Sequence, residues 1–189
     1  MIIIVHIVEM VKIQTFTSKD KLFVFLGSAF GLGLLPVAPG TWGALLGVAI
    51  HVFTVLLLPG LFYQTIVLVA VLLLVSIGNH LLTPWAVQFW NKKDPGNFVL
   101  DEVAGYLLIP IIFHHGRLWQ VALWGFLIFR IFDIIKLPIA RQIDRKGTSA
   151  WAILLDDLVS AVYTVLALYL LMWLGESLKI EWLLIVRNR

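Results

Sequence analysis

The sequence predicts an all-α, polytopic helical membrane protein with about five transmembrane helices and an N-terminal interfacial or re-entrant helix. Three observations predict it. Hydrophobic residues make up 61% of the 189 and charged residues only 13%, about half the charged share of an ordinary soluble domain. Uncharged runs cover residues 41–58, 61–82 and 158–174, each close to the ~20 residues that a helix needs to cross the hydrocarbon. The charged residues that interrupt this pattern gather near the ends of apolar runs rather than in their middles. A net charge of +3, scattered along the chain, suits basic loops and not a nucleic-acid surface. Cysteine is absent, which excludes disulfides, thiolate metal sites and a cysteine nucleophile.

Taken in order, residues 1–21 form an N-terminal cytoplasmic or interfacial segment. MIIIVHIVE has neither a basic n-region nor an A-x-A-like cleavage site, so it does not read as a signal peptide, and Met10 is an alternative start. Residues 22–35 are apolar but few, with Gly27, Gly31 and Gly33 inside, which favours an interfacial or re-entrant helix over a span. Residues 41–58 and 61–82 flank Pro59-Gly60, a turn signal, and read as a transmembrane hairpin. Residues 87–97 are a polar connection. A helix over 97–115 would rise about 28 Å and carry Asp101 and Glu102 on its first turns. His114-His115-Gly116-Arg117 is a tight connection, and 118–135 returns. A polar stretch follows with Arg141, Asp144, Arg145 and Lys146, and Asp156-Asp157 introduce the last apolar run. The membrane domain is therefore 22–175, with 176–189 a C-terminal tail.

Counting sides is informative. The helix that starts at Asp101 turns at His114, and the next brings Arg130, Asp133 and Lys136 back. No span separates Lys136 from Asp156. Asp101, Glu102, Arg130, Asp133, Lys136, Asp156 and Asp157 thus fall near one face. Lys92, Lys93, Arg141, Arg145 and Lys146 share that side, with Lys12, Lys19 and Lys21 if 22–35 does not cross. The positive-inside rule makes that face cytoplasmic; Arg187 and Arg189 vote the other way unless the tail folds back.

Five carboxylates beside two cations suit a hard divalent ion and an anionic substrate, since Mg²⁺ takes carboxylate and phosphate oxygens. In FRIFDIIK, three-residue spacing sets Arg130, Asp133 and Lys136 along one drifting stripe: Arg130 and Lys136 for a phosphate, Asp133 for a metal. The plain alternative is structural. Acids favour helix N-termini, and Arg130 and Asp133 can neutralise each other while Lys136 snorkels. In LLPVAPGTWGALLG, a Gly/Pro break opens a helix, with Thr41 a candidate N-cap and free backbone N–H groups offered to an anion; its alternative is an ordinary capped turn. His51 and His80 read as packed residues, His114-His115 as interfacial on the opposite face, and the tryptophans as belt anchors and packing. The chain has no D-x-D-x-[T/V] motif, and the seventh residue after Lys136 is Ile143, so no K-x6-R-P motif is present.

The combination APGTWG (38–43), LDEVAGYLLIP (100–110), FRIFDIIK (129–136), Asp144 and LLDDLVSAV (154–162) resembles the phosphatidylglycerophosphatase A family over about residues 31–166. The resemblance implies a multi-pass enzyme of the bacterial inner membrane, Mg²⁺-dependent, with its active site at the cytoplasmic face, releasing phosphate from phosphatidylglycerophosphate, a phospholipid in the bilayer. It makes Asp101, Glu102, Asp133, Asp156 and Asp157 the catalytic and metal-holding acids. Arg130 and Lys136 become phosphate partners, with Pro39, Gly40 and Thr41 as a site loop. The chain departs from the family pattern at Leu137, at Ser149-Ala150, at Ala44 and at Ser160-Ala161, which affects backbone shape rather than charge. Two readings of other classes stand beside it: a small ion-coupled carrier using intramembrane carboxylates, and a non-catalytic subunit whose charges pair internally.

Overall fold

The structure is a computed structural model that describes residues 17–140, 142 and 150–178. Among the described residues the regular structure is helical, with no strand. The N-terminal residues 1–16, the stretch with Arg141, Asp144, Arg145, Lys146 and Ser149, and the tail with Arg187 and Arg189 lie outside it.

The first helix, α1 (Ser18–Gly27), starts at a capping box between Thr17 and Asp20. Asp20 also accepts from Trp85 Nε1 at 3.0 Å, and Phe23 meets the same indole edge-on. Hydrogen bonds from the Thr17 hydroxyl, the Trp85 indole and the Thr17 backbone hold the Asp20 carboxyl below its usual range. Ten residues rise only about 15 Å, so α1 does not cross. Lys19 and Lys21 are exposed beside exposed Leu22, Phe25 and Leu26, as an interfacial helix requires. The chain then turns through Ala29, Phe30 and Gly31, all at positive φ, and a short 3-10 turn, Leu32–Leu34.

Among the described residues, four helices are long and apolar enough to cross a membrane: α2 (Pro39–Leu57), α3 (Leu61–Trp90), α5 (Leu118–Ile135) and α6 (Ala150–Leu178). The α2/α3 hairpin matches the expectation from Pro59-Gly60, and Gly60 takes the positive φ of the turn. α3 runs eight residues beyond Leu82, however, through Pro84 and into the stretch expected to be a loop. Pro84 forfeits one backbone bond of the helix, but the Thr83 hydroxyl donates to the Asn79 carbonyl at 2.6 Å, and Trp85, Phe89 and Trp90 pack on one another.

The helix expected over 97–115 is α4 (Leu100–Ile112), only thirteen residues long, or about 20 Å. It is short because other helices, not lipid, surround it. Val103, Ala104, Tyr106, Leu107 and Ile109 are all but fully buried, and its principal neighbours are α6, α2 and α3. Glycines permit the close approach that membrane helices use in place of a hydrophobic drive: Gly105 lies against Phe129 and Asp157, and Gly47 against the Tyr106 ring. Exposed Trp42 and Trp151 mark one end of the bundle, exposed Trp119 and Trp173 the other, as interfacial belts do. On α6, Trp151 to Trp173 is about 33 Å of helix, close to the ~30 Å hydrocarbon core.

Candidate active site

Three helices deliver the acids to one place. Asp101 and Glu102 occupy the first turn of α4. That start is fixed by the Phe98 N–H on the Pro95 carbonyl at 2.7 Å and the Val99 N–H on the Gly27 carbonyl at 3.0 Å. Asp133 lies near the end of α5, and Lys136 closes that helix at a left-handed φ of 49°. Asp156 and Asp157 sit inside α6, six and seven residues beyond Ala150. The helix-start account of acidic pairs therefore fits Asp101-Glu102 but fails for Asp156-Asp157, which lie beyond the reach of a terminal dipole.

Carboxylate oxygens of Asp101, Glu102 and Asp157 come within 4.8 Å of one another. Asp133 stands beside Asp157 within hydrogen-bonding reach and is ion-paired to Arg130. Lys136 Nζ reaches across to Asp156 Oδ2 at 2.6 Å. The pairing of Arg130 with Asp133 is the one that their spacing allows. Lys136, by contrast, finds a carboxylate on another helix instead of snorkelling to the surface.

The site loop also arrives here. A Cβ on Gly40 would collide with Glu102 Oε1 and Arg130 Nη2, so the Gly40 backbone rests directly on both. Thr41 is not the N-cap that the sequence suggested. Ala38 caps α2 at φ 48°, Pro39 is the first helical residue, and the Thr41 N–H is taken by the Ala38 carbonyl at 2.9 Å. Proline wins the first position because its fixed φ is already helical and its missing N–H is no loss there. Of the three loop residues, only Gly40 then retains a backbone N–H free of this turn.

Five carboxylates share this region with two cations. Like charges about 4 Å apart repel by about 4 kcal/mol at an effective dielectric of 20, so the cluster calls for added positive charge or protons. Asp101 Oδ1, Glu102 Oε2, Asp156 Oδ1 and Asp157 Oδ2 are buried without a hydrogen-bond partner. Orphaned oxygens are uncommon in a folded interior. Three of these carboxylates with oxygens this close fit a hard cation: oxygen ligands lie ~2.0–2.6 Å from Mg²⁺ or Ca²⁺, so the 4.8 Å span is within about twice that bond. The donor set is all oxygen, which excludes a preference for soft metals.

Asp94 was missed. It sits in the exposed turn between α3 and α4, and its charge acts on both Asp101 and Asp156. Its only signal in the sequence is a carboxylate seven residues before Asp101 on the same side. The histidines behave as expected. His51 is buried with Nδ1 3.2 Å from the Tyr106 hydroxyl, the His80 ring lies tilted against Trp151 with centroids 4.8 Å apart, and His114 and His115 line a cavity at the opposite end of α4.

The chain matches the sequence model of the family described as phosphatidylglycerophosphatase A over residues 25–172. It belongs to that family. A phosphatidylglycerophosphatase A of Haemophilus influenzae is 32% identical over 144 residues, covering 76% of this chain and 85% of the relative. Its Escherichia coli counterpart is 32% identical over 144 residues, covering 76% and 80%. A Bacteroides thetaiotaomicron protein with the provisional name phosphatidylinositol-3-phosphatase is 32% identical over 157 residues, covering 79% and 93%. No solved structure matches the chain. The protein is thus a membrane-embedded phosphoric monoester hydrolase, and the acid-rich end described above is the place to look for its chemistry.

Proposed function

We propose that this protein hydrolyses the phosphomonoester of phosphatidylglycerophosphate to phosphatidylglycerol and phosphate, using Mg²⁺, at the cytoplasmic face of a bacterial inner membrane. One observation carries the reading: Asp101, Glu102 and Asp157, each with a buried oxygen that lacks a hydrogen-bond partner, bring carboxylate oxygens from two helices within 4.8 Å of one another, beside a paired arginine and a paired lysine. The named substrates of two relatives support it.

Asp101, Glu102 and Asp157 would hold the ion, with Asp133 and Asp156 adjoining. When bound, Mg²⁺ neutralises phosphate oxygens and acidifies a water. Arg130 and Lys136 turn from their carboxylate partners to the phosphate oxygens, where charge grows in the transition state. The Gly40 N–H adds a donor from the Pro39–Thr41 loop. Asp156, outside the three closest oxygens, accepts the water's proton through Oδ1. A carrier is disfavoured by position, because the acids lie on one side. On α6, Asp156 and Asp157 are only about 8–9 Å of helix from Trp151, about a quarter of the way to Trp173.

A second substrate has a specific claim, since the Bacteroides relative is named for phosphatidylinositol 3-phosphate. The test is phosphate release by the purified protein from both lipids, with and without Mg²⁺ and with Asp133→Asn. The proposal expects Mg²⁺-dependent release from phosphatidylglycerophosphate, nearly abolished in the variant. Full activity in chelator, or faster release from the inositol lipid, would overturn the metal or the substrate respectively.

A further inference from the structure

The acids are recessed within the bundle, which raises the question of how a headgroup still tethered to the bilayer reaches them. Two apolar grooves flank α2. One, of about 650 Å³, lies between α2 and α5 and is lined by residues such as Leu45, Val48, Ala122 and Phe126. The other, of about 520 Å³, lies between α2 and α3 and is lined by residues such as Ala49, Phe53 and Val67. Both face lipid, and they differ in where their walls lead. α5 carries Arg130 one turn beyond Phe126, and α2 carries Gly40 against Arg130 and Glu102. Both walls of the first groove therefore end on the acid site. No α3 side chain is part of that site, so the second groove has only one wall that reaches it.

We propose that the α2/α5 groove holds an acyl chain of the lipid substrate, and that the substrate enters sideways from the bilayer between these two helices. The occupant follows from continuity. A chain lying along Ala122 and Phe126 begins about 6 Å of helix from Arg130, within reach of the headgroup that it carries. The groove continues to Leu118, a further ~12 Å along α5. Its lining is apolar throughout, so it recognises a hydrocarbon chain and not a second headgroup. Ala122 is the smallest side chain in its wall, so a larger residue there fills the space. This inference rests on the lipid-phosphatase reading above.

The test compares Ala122→Phe with Ala49→Phe, which fills the other groove. Each is assayed with dioleoyl phosphatidylglycerophosphate in mixed micelles and with the soluble dihexanoyl form. Ala122→Phe is expected to raise KM for the dioleoyl lipid about tenfold, the size of effect that shape mismatch in an apolar pocket produces. It should leave kcat, and both constants for the dihexanoyl lipid, within about twofold. Ala49→Phe should move neither substrate. An unchanged dioleoyl KM in Ala122→Phe, an equal rise in Ala49→Phe, or equal loss on both lipids would overturn the assignment. A second readout needs no turnover: photolabelling with a lipid phosphomonoester carrying a mid-chain diazirine, competed with unlabelled phosphatidylglycerophosphate. Competed label on residues 118–126 supports the groove, and competed label confined to Phe53 or Val67 overturns it. Should the parent release phosphate from no lipid, the function fails, and the labelling still decides the groove.

Discussion

The two ends of α4 gather polar groups of different charge. At the end that carries Asp101 and Glu102, buried oxygens stand without partners among other acids. At the end that leads to His114, a cavity of about 220 Å³ contains histidines, Gln64 and Thr65 but no carboxylate. Two of the polar groups there meet neutral neighbours: His51 Nδ1 meets the Tyr106 hydroxyl, and Gln64 donates to the Leu58 carbonyl at 2.9 Å. His115 Nδ1 is buried without a partner, but it belongs to an imidazole and not to one of several carboxylates. A neutral imidazole short of a partner repels no neighbour, whereas several carboxylates left short of partners together store repulsion that a cation can relieve. The difference sets the end proposed for the chemistry apart from the other.

The largest break in this comparison should come from the acids. Asp157→Asn or Asp101→Asn is expected to lower kcat by about 10³-fold, the scale of losing a preorganised electrostatic group, while circular dichroism shows an intact helical fold. A fold lost along with activity would make these residues structural. Next is Gly40→Ala. Its methyl group would displace Glu102 and Arg130, and misplacement of about 1 Å costs about 10²-fold in rate; kcat measurement checks this. Lys136→Met removes the partner of Asp156 and a phosphate donor, and should raise KM about tenfold, read from initial rates. The smallest effect belongs to the far end. Tyr106→Phe loses the contact with His51 and should lower stability by about 1 kcal/mol by denaturant titration, with kcat within about twofold. A large kcat loss there would show that the two ends are not independent.

Much of the site was legible because sidedness needs only the hairpin at His114–Arg117. Once α4 and α5 are antiparallel, Asp101, Asp133 and Lys136 share an end whatever the N-terminus does. The family motifs added Gly40, whose closeness to Glu102 no spacing rule reveals. Helix lengths were less legible. Hydropathy reports contact with lipid, so it measured α2 and α5 well, but it understated α6, which already includes Ala150 and so takes Asp156-Asp157 inside the helix. It could not show that α4 is short and largely enclosed by other helices, or that Thr83 and a tryptophan cluster carry α3 past Pro84. The Lys136 pairing with Asp156 joins residues on different helices, which a stripe along α5 cannot show. Asp94 was hidden because an acid in a Lys-Lys-Asp-Pro-Gly turn looks like ordinary solvated polarity.

The central claim is that Asp101, Glu102 and Asp157 share one cation. Mn²⁺ titration followed by electron paramagnetic resonance tests it directly, on purified parent, Asp101→Asn, Asp157→Asn and Tyr106→Phe. The account predicts a bound Mn²⁺ signal in the parent and in Tyr106→Phe that Mg²⁺ displaces, with affinity at least tenfold weaker in both Asn variants. Equal Mn²⁺ binding in all four proteins would contradict it.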